Sequence, residues 1–440
     1  MGRILVATTP GEGHVNGMVE VARALVRAGH EVRWYTGRAF RPKVEAAGAV
    51  FVPMSRGHDW GGRTREEAFP HHAGLTGVRS MVAAFRDIFF RAAYGQMVDI
   101  LEILDEFPAD VIVSGETIFG ANFAAERRGI PIAWVATSIY IFGSRDTAPL
   151  GLGLPPAASP AGRLRNRALK VLSRTLLKPL REVRRDADVT RSRAGLRPIG
   201  AGPFENIVHP PDLYLMGTVP SFEYPRTDML PQTHFVGPFV GPPPQGFQPP
   251  AWWDELDGRR PVVHLTQGTV ANDAGRLLTP GLKALAGLDV TVVATTGVPP
   301  DTLDLGPLPD NVRLERFVPH FELLPRVDVM ITNGGYGGVN TALSHGVPLV
   351  VAPATEEKHE VAARVDWAGV GIGLSRRNLS ADALRRAVST VLATDSYRRR
   401  ARQLQEEYRR HDGPRRAVAL IESLAGLPQS RPAAEGSLRG

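Results

Sequence analysis

Short apolar runs of valine, isoleucine and leucine alternate with helical-period segments along almost the whole chain, and this alternation constrains the fold more than any other feature. Runs buried on both faces, each followed by an amphipathic helix, pair as parallel strands. The opening unit sets the pattern. Ile4 to Ala7 is a buried-type strand and Thr8 to Gly13 a glycine-containing turn, after which Val15, Met18, Val19, Ala22, Leu25 and Val26 recur on one helix face. Gly29 stands where a left-handed helix cap belongs, and Glu31 to Tyr35 begins the next strand. Val111 to Val113 is a further strand, followed by a helix to Gly129 and the strand Ile132 to Ala136. The second half repeats the pattern, with strands expected at Val262 to Thr266, Val290 to Ala294, Val312 to Phe317, Val327 to Ile331 and Pro348 to Ala352.

At 440 residues the chain is long for one core, so two domains are expected. Residues 238–250 are proline-rich and read as a semi-rigid linker, because consecutive prolines continue neither a helix nor a central strand. The expected division is a first α/β domain over 1–237, a second over 251–427, and a disordered polar tail over 428–440. Ligands of such sheets bind beyond the carboxyl ends of the strands, in a cleft between the two domains. Two segments break the alternation. Gly61 to Asp105 carries Phe85, Phe89, Phe90 and Tyr94 on expected helices. Leu150 to Gly202 includes a basic amphipathic stretch with Leu164, Val171, Leu172, Leu176, Leu180 and Val183 among arginines. It reads either as a membrane-surface helix or as a domain helix with a solvated arginine face.

Composition narrows the function classes. The absence of cysteine excludes disulfides, thiolate catalysis and Cys-ligated metals. No apolar run reaches the roughly 20 residues of a membrane-spanning helix, and the N-terminus enters a strand without the pattern of a signal peptide, so the expected address is cytoplasmic. The net charge of +7 is carried by arginines with no interleaved aromatics, so nucleic acid is not an expected partner.

Two turns carry chemistry. Asn333-Gly334-Gly335-Tyr336-Gly337-Gly338 follows a strand and opens a helix that stops at Gly346. Backbone N–H groups there can approach an anion with no Cβ in the way, and the helix start adds unpaired donors, although glycines equally serve tight turns. The first turn, Gly11-Glu12-Gly13-His14-Val15-Asn16, lacks the spacing of a dinucleotide fingerprint but sets His14 at a helix start. That position keeps an imidazole neutral and able to accept a proton; a turn or capping role is the other reading.

Taken together, His14, the glycine pocket, and the block Phe317-Val318-Pro319-His320, Ile331 to Gly346 and Val347 to Val365 make the chain resemble the nucleotide-sugar-dependent glycosyltransferases of family 1. The similarity runs from Arg3 to about Ile421, nearest to bacterial members acting on macrolides, aromatic polyketides and flavonoids. It implies the GT-B fold: two Rossmann-like, doubly wound parallel-sheet domains facing each other across a cleft. It further implies an inverting, metal-independent transfer from a UDP- or TDP-sugar to a hydroxyl of a small lipophilic acceptor, with no cofactor. His14 matches the family's general base. Phe317 matches the aromatic stacked on the donor base, or is a core aromatic at a strand end; Val318 matches the base-edge reader. Asn333, Gly337, Gly338, Gly268 and Thr269 fall on the donor-phosphate region, and His320 and Gly335 are further donor-binding candidates. Glu357 and Lys358 match the pair that holds the sugar hydroxyls, or form a solvated loop. Trp60, Phe85, Phe89 and Ile141 are acceptor-side candidates, with core packing an equal account of the phenylalanines.

Departures from the family pattern are Gly17 for a proline, Gly338 for a threonine or serine, Thr341 for a ribose-binding glutamate and Lys358 for glutamine. The aspartate that usually holds the histidine aligns with Gly115, with Glu116 beside it. Glu116 is therefore expected either to orient His14 or to serve as a helix-start acid. These departures leave open a non-catalytic relative that binds a nucleotide sugar or a partner enzyme. A GT-B-like epimerase, using Glu356, Glu357 and Glu360, is a further alternative.

Overall fold

A computed structural model describes residues 1–63, 65–75, 77–176, 179–199, 208–241, 246–268, 274–353, 358–375 and 379–430. The first half forms one seven-stranded sheet from β1 (Arg3–Ala7), β2 (Glu31–Thr36), β3 (Val50–Pro53), β4 (Val111–Gly115), β5 (Ile132–Ala136), β6 (Leu213–Met216) and β7 (Thr233–Phe235), in the order β3-β2-β1-β4-β5-β6-β7. The second half forms a six-stranded sheet from β8 (Val262–Thr266), β9 (Thr291–Thr295), β10 (Val312–Glu315), β11 (Val329–Thr332), β12 (Leu349–Val351) and β13 (Gly371–Gly373), ordered β10-β9-β8-β11-β12-β13. Every neighbouring pair is parallel. Both sheets are doubly wound, so strand order reverses between β1 and β4 and again between β8 and β11. A crevice opens at each reversal.

Continuous burial along β4, β5 and β8, and along β1 from Ile4, reflects helices on both faces, and each sheet has one apolar cluster per face. At roughly 25 cal/mol per Å² of apolar area, this double burial is the main favourable term. The sheets meet at their carboxyl ends. Ile139, Val219 and Phe222, from loops after β5 and β6, join the core cluster of the second half, and Phe222 lies 6.5 Å from the Tyr336 ring. Glu360 accepts N–H bonds from Gly151 (2.7 Å) and Gly153 (2.9 Å), tying a first-half loop to the helix Lys358–Ala368.

Three expectations need amendment. The helix Gly413–Leu424 returns to the first half, where Ala417, Val418 and Ile421 pack with Ile4, Val6 and Leu25, so the second domain does not extend to 427 as one unit. Ser430, expected in the disordered tail, donates to Glu422 through its N–H and its hydroxyl; the rest of the tail lies outside the described residues. The helix Pro160–Leu176 is anchored by its polar stripe, inverting the expected domain-helix arrangement. Arg163 bonds Asp146 at 2.7 Å, Asn166 is fully buried on Arg145 O, and Lys170 donates to Ser144 O, while Leu164, Val171 and Leu172 are exposed. Val183, on the next helix, is fully buried; the side chains of Leu176 and Leu180 lie outside the described set. No described helix is long and apolar enough to cross a membrane.

Candidate active site

The first crevice is built by the ends of β1, β4 and β5. Ala7 pairs with Ser114, and Gly115 with Val135, so the loops that follow start at one level. The helix Glu12–Arg27 begins at once, with Gly11 as an N-cap that supplies no side-chain bond. His14 sits in its first turn, partly exposed. Loss of water on burial pulls its imidazole from 6.5 down to about 4, so the ring is neutral at physiological pH. Trp60 covers the same turn: a Cβ on Gly11 would stand 2.8 Å from its ring and 3.3 Å from that of His14.

Glu116 does not touch His14, which corrects the expectation that it orients the ring. Its carboxylate takes the Tyr214 hydroxyl on one oxygen and the Thr137 N–H (3.2 Å) on the other. Burial, opposed in part by those donors, pushes it up to about 7. The atoms beside His14 Nδ1 are the hydroxyls of Thr137 (3.3 Å) and Thr117 (3.4 Å), with Thr9 at 2.9 Å from Thr117. Sequence reasoning passed over all three threonines. Their position just beyond β1, β4 and β5 was the available signal.

The second crevice gathers most of the donor-side residues. Thr332 pairs with Thr266, which brings the turns after β11 and β8 together. Asn333 donates to Gln267 O, and Gly268 lies beside the Asn333 amide. Gly334 has φ +88, and a Cβ on it would stand 3.4 Å from Lys358, so Lys358 borders the glycine turn. Gly335 caps the helix Tyr336–Ser344, whose first backbone bond is Val339 N–H to Gly335 O. The N–H groups of Tyr336, Gly337 and Gly338 precede that bond, and among the described residues nothing beyond its own helix turn lies within 4 Å of where a Cβ on Gly337 would be. This arrangement can receive an anion.

Phe317 lies beyond the end of β10 and is 66% exposed, so the core-aromatic alternative does not hold. Val318 next to it has a buried side chain. His320 starts the helix His320–Leu323, with its ring 5.5 Å from His264; burial lowers both imidazoles, to about 4 and about 3. Thr341 turns its hydroxyl back onto Gly337 O. Thr269 and Glu357 lie outside the described residues.

Phe85 and Phe89 occupy a π-helical segment, Phe85–Phe90, and pack with Phe90 and Phe119 against the first core; Ile141 joins the same cluster. Each is only partly buried. Asp87, on the same segment, receives His71 (2.6 Å), His72 (2.9 Å) and Arg91 (2.9 Å). These two histidines and the aspartate have the spacing of cation ligands, but Arg91 already neutralises the carboxylate.

Residues 280–424 match the family described as erythromycin biosynthesis protein CIII-like, C-terminal domain. The chain is 63% identical to 4'-demethylrebeccamycin synthase of Lentzea aerocolonigenes over 422 residues, 96% of this chain and 99% of that protein. It is 32% identical to UDP-glycosyltransferase 2 of Phaeomoniella chlamydospora over 442 residues, 96% and 95% of the two chains. Its fold matches the glycosyltransferase VinC, solved in complex with DTDP, with a TM-score of 0.68 at 23% identity, covering 96% and 99%.

Proposed function

Because the chain belongs to the GT-B nucleotide-sugar glycosyltransferases of natural-product biosynthesis, we propose that it moves a hexose from a UDP- or TDP-sugar to a hydroxyl of a small lipophilic acceptor, with inversion and without a metal. The observation that carries this reading is a pair of half-sites, each at the carboxyl ends of its own sheet: a neutral imidazole beyond β1 and a glycine helix start beyond β11. The acceptor O–H gives its proton to His14 Nε2. The oxygen forms a bond to the anomeric carbon from the face opposite the leaving group, and the anomeric C–O bond breaks with its electron pair leaving on the diphosphate. Donors at Tyr336, Gly337 and Gly338 favour that growing charge. Exposed Phe317 supports base stacking. Asn333, whose amide holds the Gln267 carbonyl, acts by shaping the turn.

UDP, in the name of one relative, and DTDP, in one solved structure, set the first trial. UDP- and TDP-glucose are offered with a mixed panel of polyketide and flavonoid aglycones, beside the variant His14→Ala. A hexose mass added by the wild type and lowered about 10²–10⁴-fold in the variant, with donor affinity kept, is expected of a general base. Undiminished turnover in His14→Ala removes His14 from the reaction. Donor binding without product across the panel favours the non-catalytic alternative.

A further inference from the structure

The helix Pro160–Leu176 carries an exposed apolar stripe that the proposed reaction does not use. Leu164 is 68% exposed, Val171 57% and Leu172 51%, and Ala161 and Ala168 are exposed with them. At 3.6 residues per turn, these spacings put all five on one face. The opposite face holds the helix to the protein. Arg163 bonds Asp146, buried Asn166 donates to Arg145 O, and Lys170 donates to Ser144 O. All three partners lie on the loop that leaves β5, so polar bonds fix the stripe in its outward orientation. Leu150 and Leu152, on the loop before the helix, are exposed as well.

Charge indicates what the stripe meets. No Asp or Glu occurs between Asp146 and Glu182, while the helix alone holds Arg163, Arg165, Arg167, Lys170 and Arg174. Around the helix axis Arg165 flanks the stripe on one side and Arg167 on the other. Both are exposed, and neither has a carboxylate partner among the described residues; Arg165 bonds only the neutral Asn166 and Pro155 O.

We propose that this face is a docking surface for an anionic bilayer, with the helix lying flat at the level of the headgroups. Leucine and valine enter the acyl boundary, and the flanking guanidinium groups reach lipid phosphates while their aliphatic stems cover apolar surface. Each arginine near such a surface adds about fivefold to binding. A second copy of the chain fits the face less well, because helix against helix seats arginine rows together with no acidic residue to offset them. Nucleic acid matches the charge but leaves the leucines in water.

The chain has no cysteine, so Leu164→Cys accepts a single environment-sensitive fluorophore. With vesicles of phosphatidylcholine and phosphatidylglycerol in equal parts, its emission should shift to the blue. The same label at Val50→Cys, exposed on β3, should not move. Co-sedimentation of the unlabelled protein with these vesicles should exceed that with phosphatidylcholine alone by about tenfold or more, and should fall as salt is raised. Arg165→Gln with Arg167→Gln, and separately Leu164→Ser with Leu172→Ser, should each weaken binding about tenfold or more at an unchanged melting temperature. No blue shift, equal binding to both vesicle types, or undiminished binding by the serine variant overturns the proposal. So does a dimer seen by sedimentation velocity without lipid and abolished by the two serines, which assigns the face to a second copy.

Discussion

Glu116 shows how far packing decides the chemistry of one residue. Its raised folded-state value, about 7 against 4.5, favours the protonated form in the native protein. The stability this contributes is complete below pH 4.5 and is lost as pH rises through about 7. The urea midpoint of the wild type should therefore fall between pH 5 and pH 8, by an amount equivalent to at most about 3 kcal/mol. Glu116→Gln, which keeps the shape without the charge, should remove most of that fall. Equal pH dependence in the two proteins would contradict the assignment. At this scale the sequence disclosed His14 and Phe317, whose positions follow from strand ends. It did not disclose the pairing of Glu116 with Tyr214, since those residues lie 98 positions apart and meet only because β4, β5 and β6 lie side by side.

Among the elements, the β11 turn and its helix carry the most local information. Gly334 sits at φ +88, a region that costs an L-residue about 1–2 kcal/mol, and a Cβ there would also stand 2.8 Å from Val351 Cγ1. Gly334→Ala should lower the melting temperature by roughly 2–8 °C and weaken UDP or TDP binding measured by calorimetry. A variant with native melting and native affinity would show that the turn tolerates a side chain and that the glycine serves another purpose. Gly29, Gly129 and Gly346 also close helices at positive φ. The sequence located these stops because a left-handed cap is a property of a few consecutive residues. The helix Pro160–Leu176 misled for the complementary reason. Its periodicity marked an amphipathic helix correctly, but which face turns inward was settled by Asp146 and the carbonyls of Ser144 and Arg145.

Across the whole molecule, the two halves are joined by a buried ionic cluster. Arg364, on a second-half helix, donates to Glu223 of the first half at 2.7 and 2.9 Å, with Arg226 at 3.1 Å from the same carboxylate. Burial by itself would raise Glu223; Arg364 and Arg226 together hold it below the usual glutamate value. Arg364→Leu leaves that carboxylate short of a partner in a dry interior and should cost about 3–5 kcal/mol in chemical denaturation. A cost under 1 kcal/mol would mean that water or Arg226 replaces the lost charge. The same helix begins at Lys358, which borders the Gly334 turn, so a loss of turnover is expected alongside the loss of stability.

What the sequence determined by itself was local: the strands β1, β2, β4, β5 and β8 to β12 with the helices between them, their parallel pairing, the turns after β1 and β11, and the helix stops, while the short strands β3, β6, β7 and β13 were not read from it. Each follows from hydrophobic period, β-branched composition or glycine conformation within a short window. What only the tertiary structure decided was which distant groups meet. Threonine hydroxyls took the place beside His14, Glu116 turned to Tyr214, and the helix Gly413–Leu424 crossed back to the first sheet. The physical reason is that hydrogen-bond and packing partners are selected by strand order and register, and these arise from burying all faces of two sheets at once.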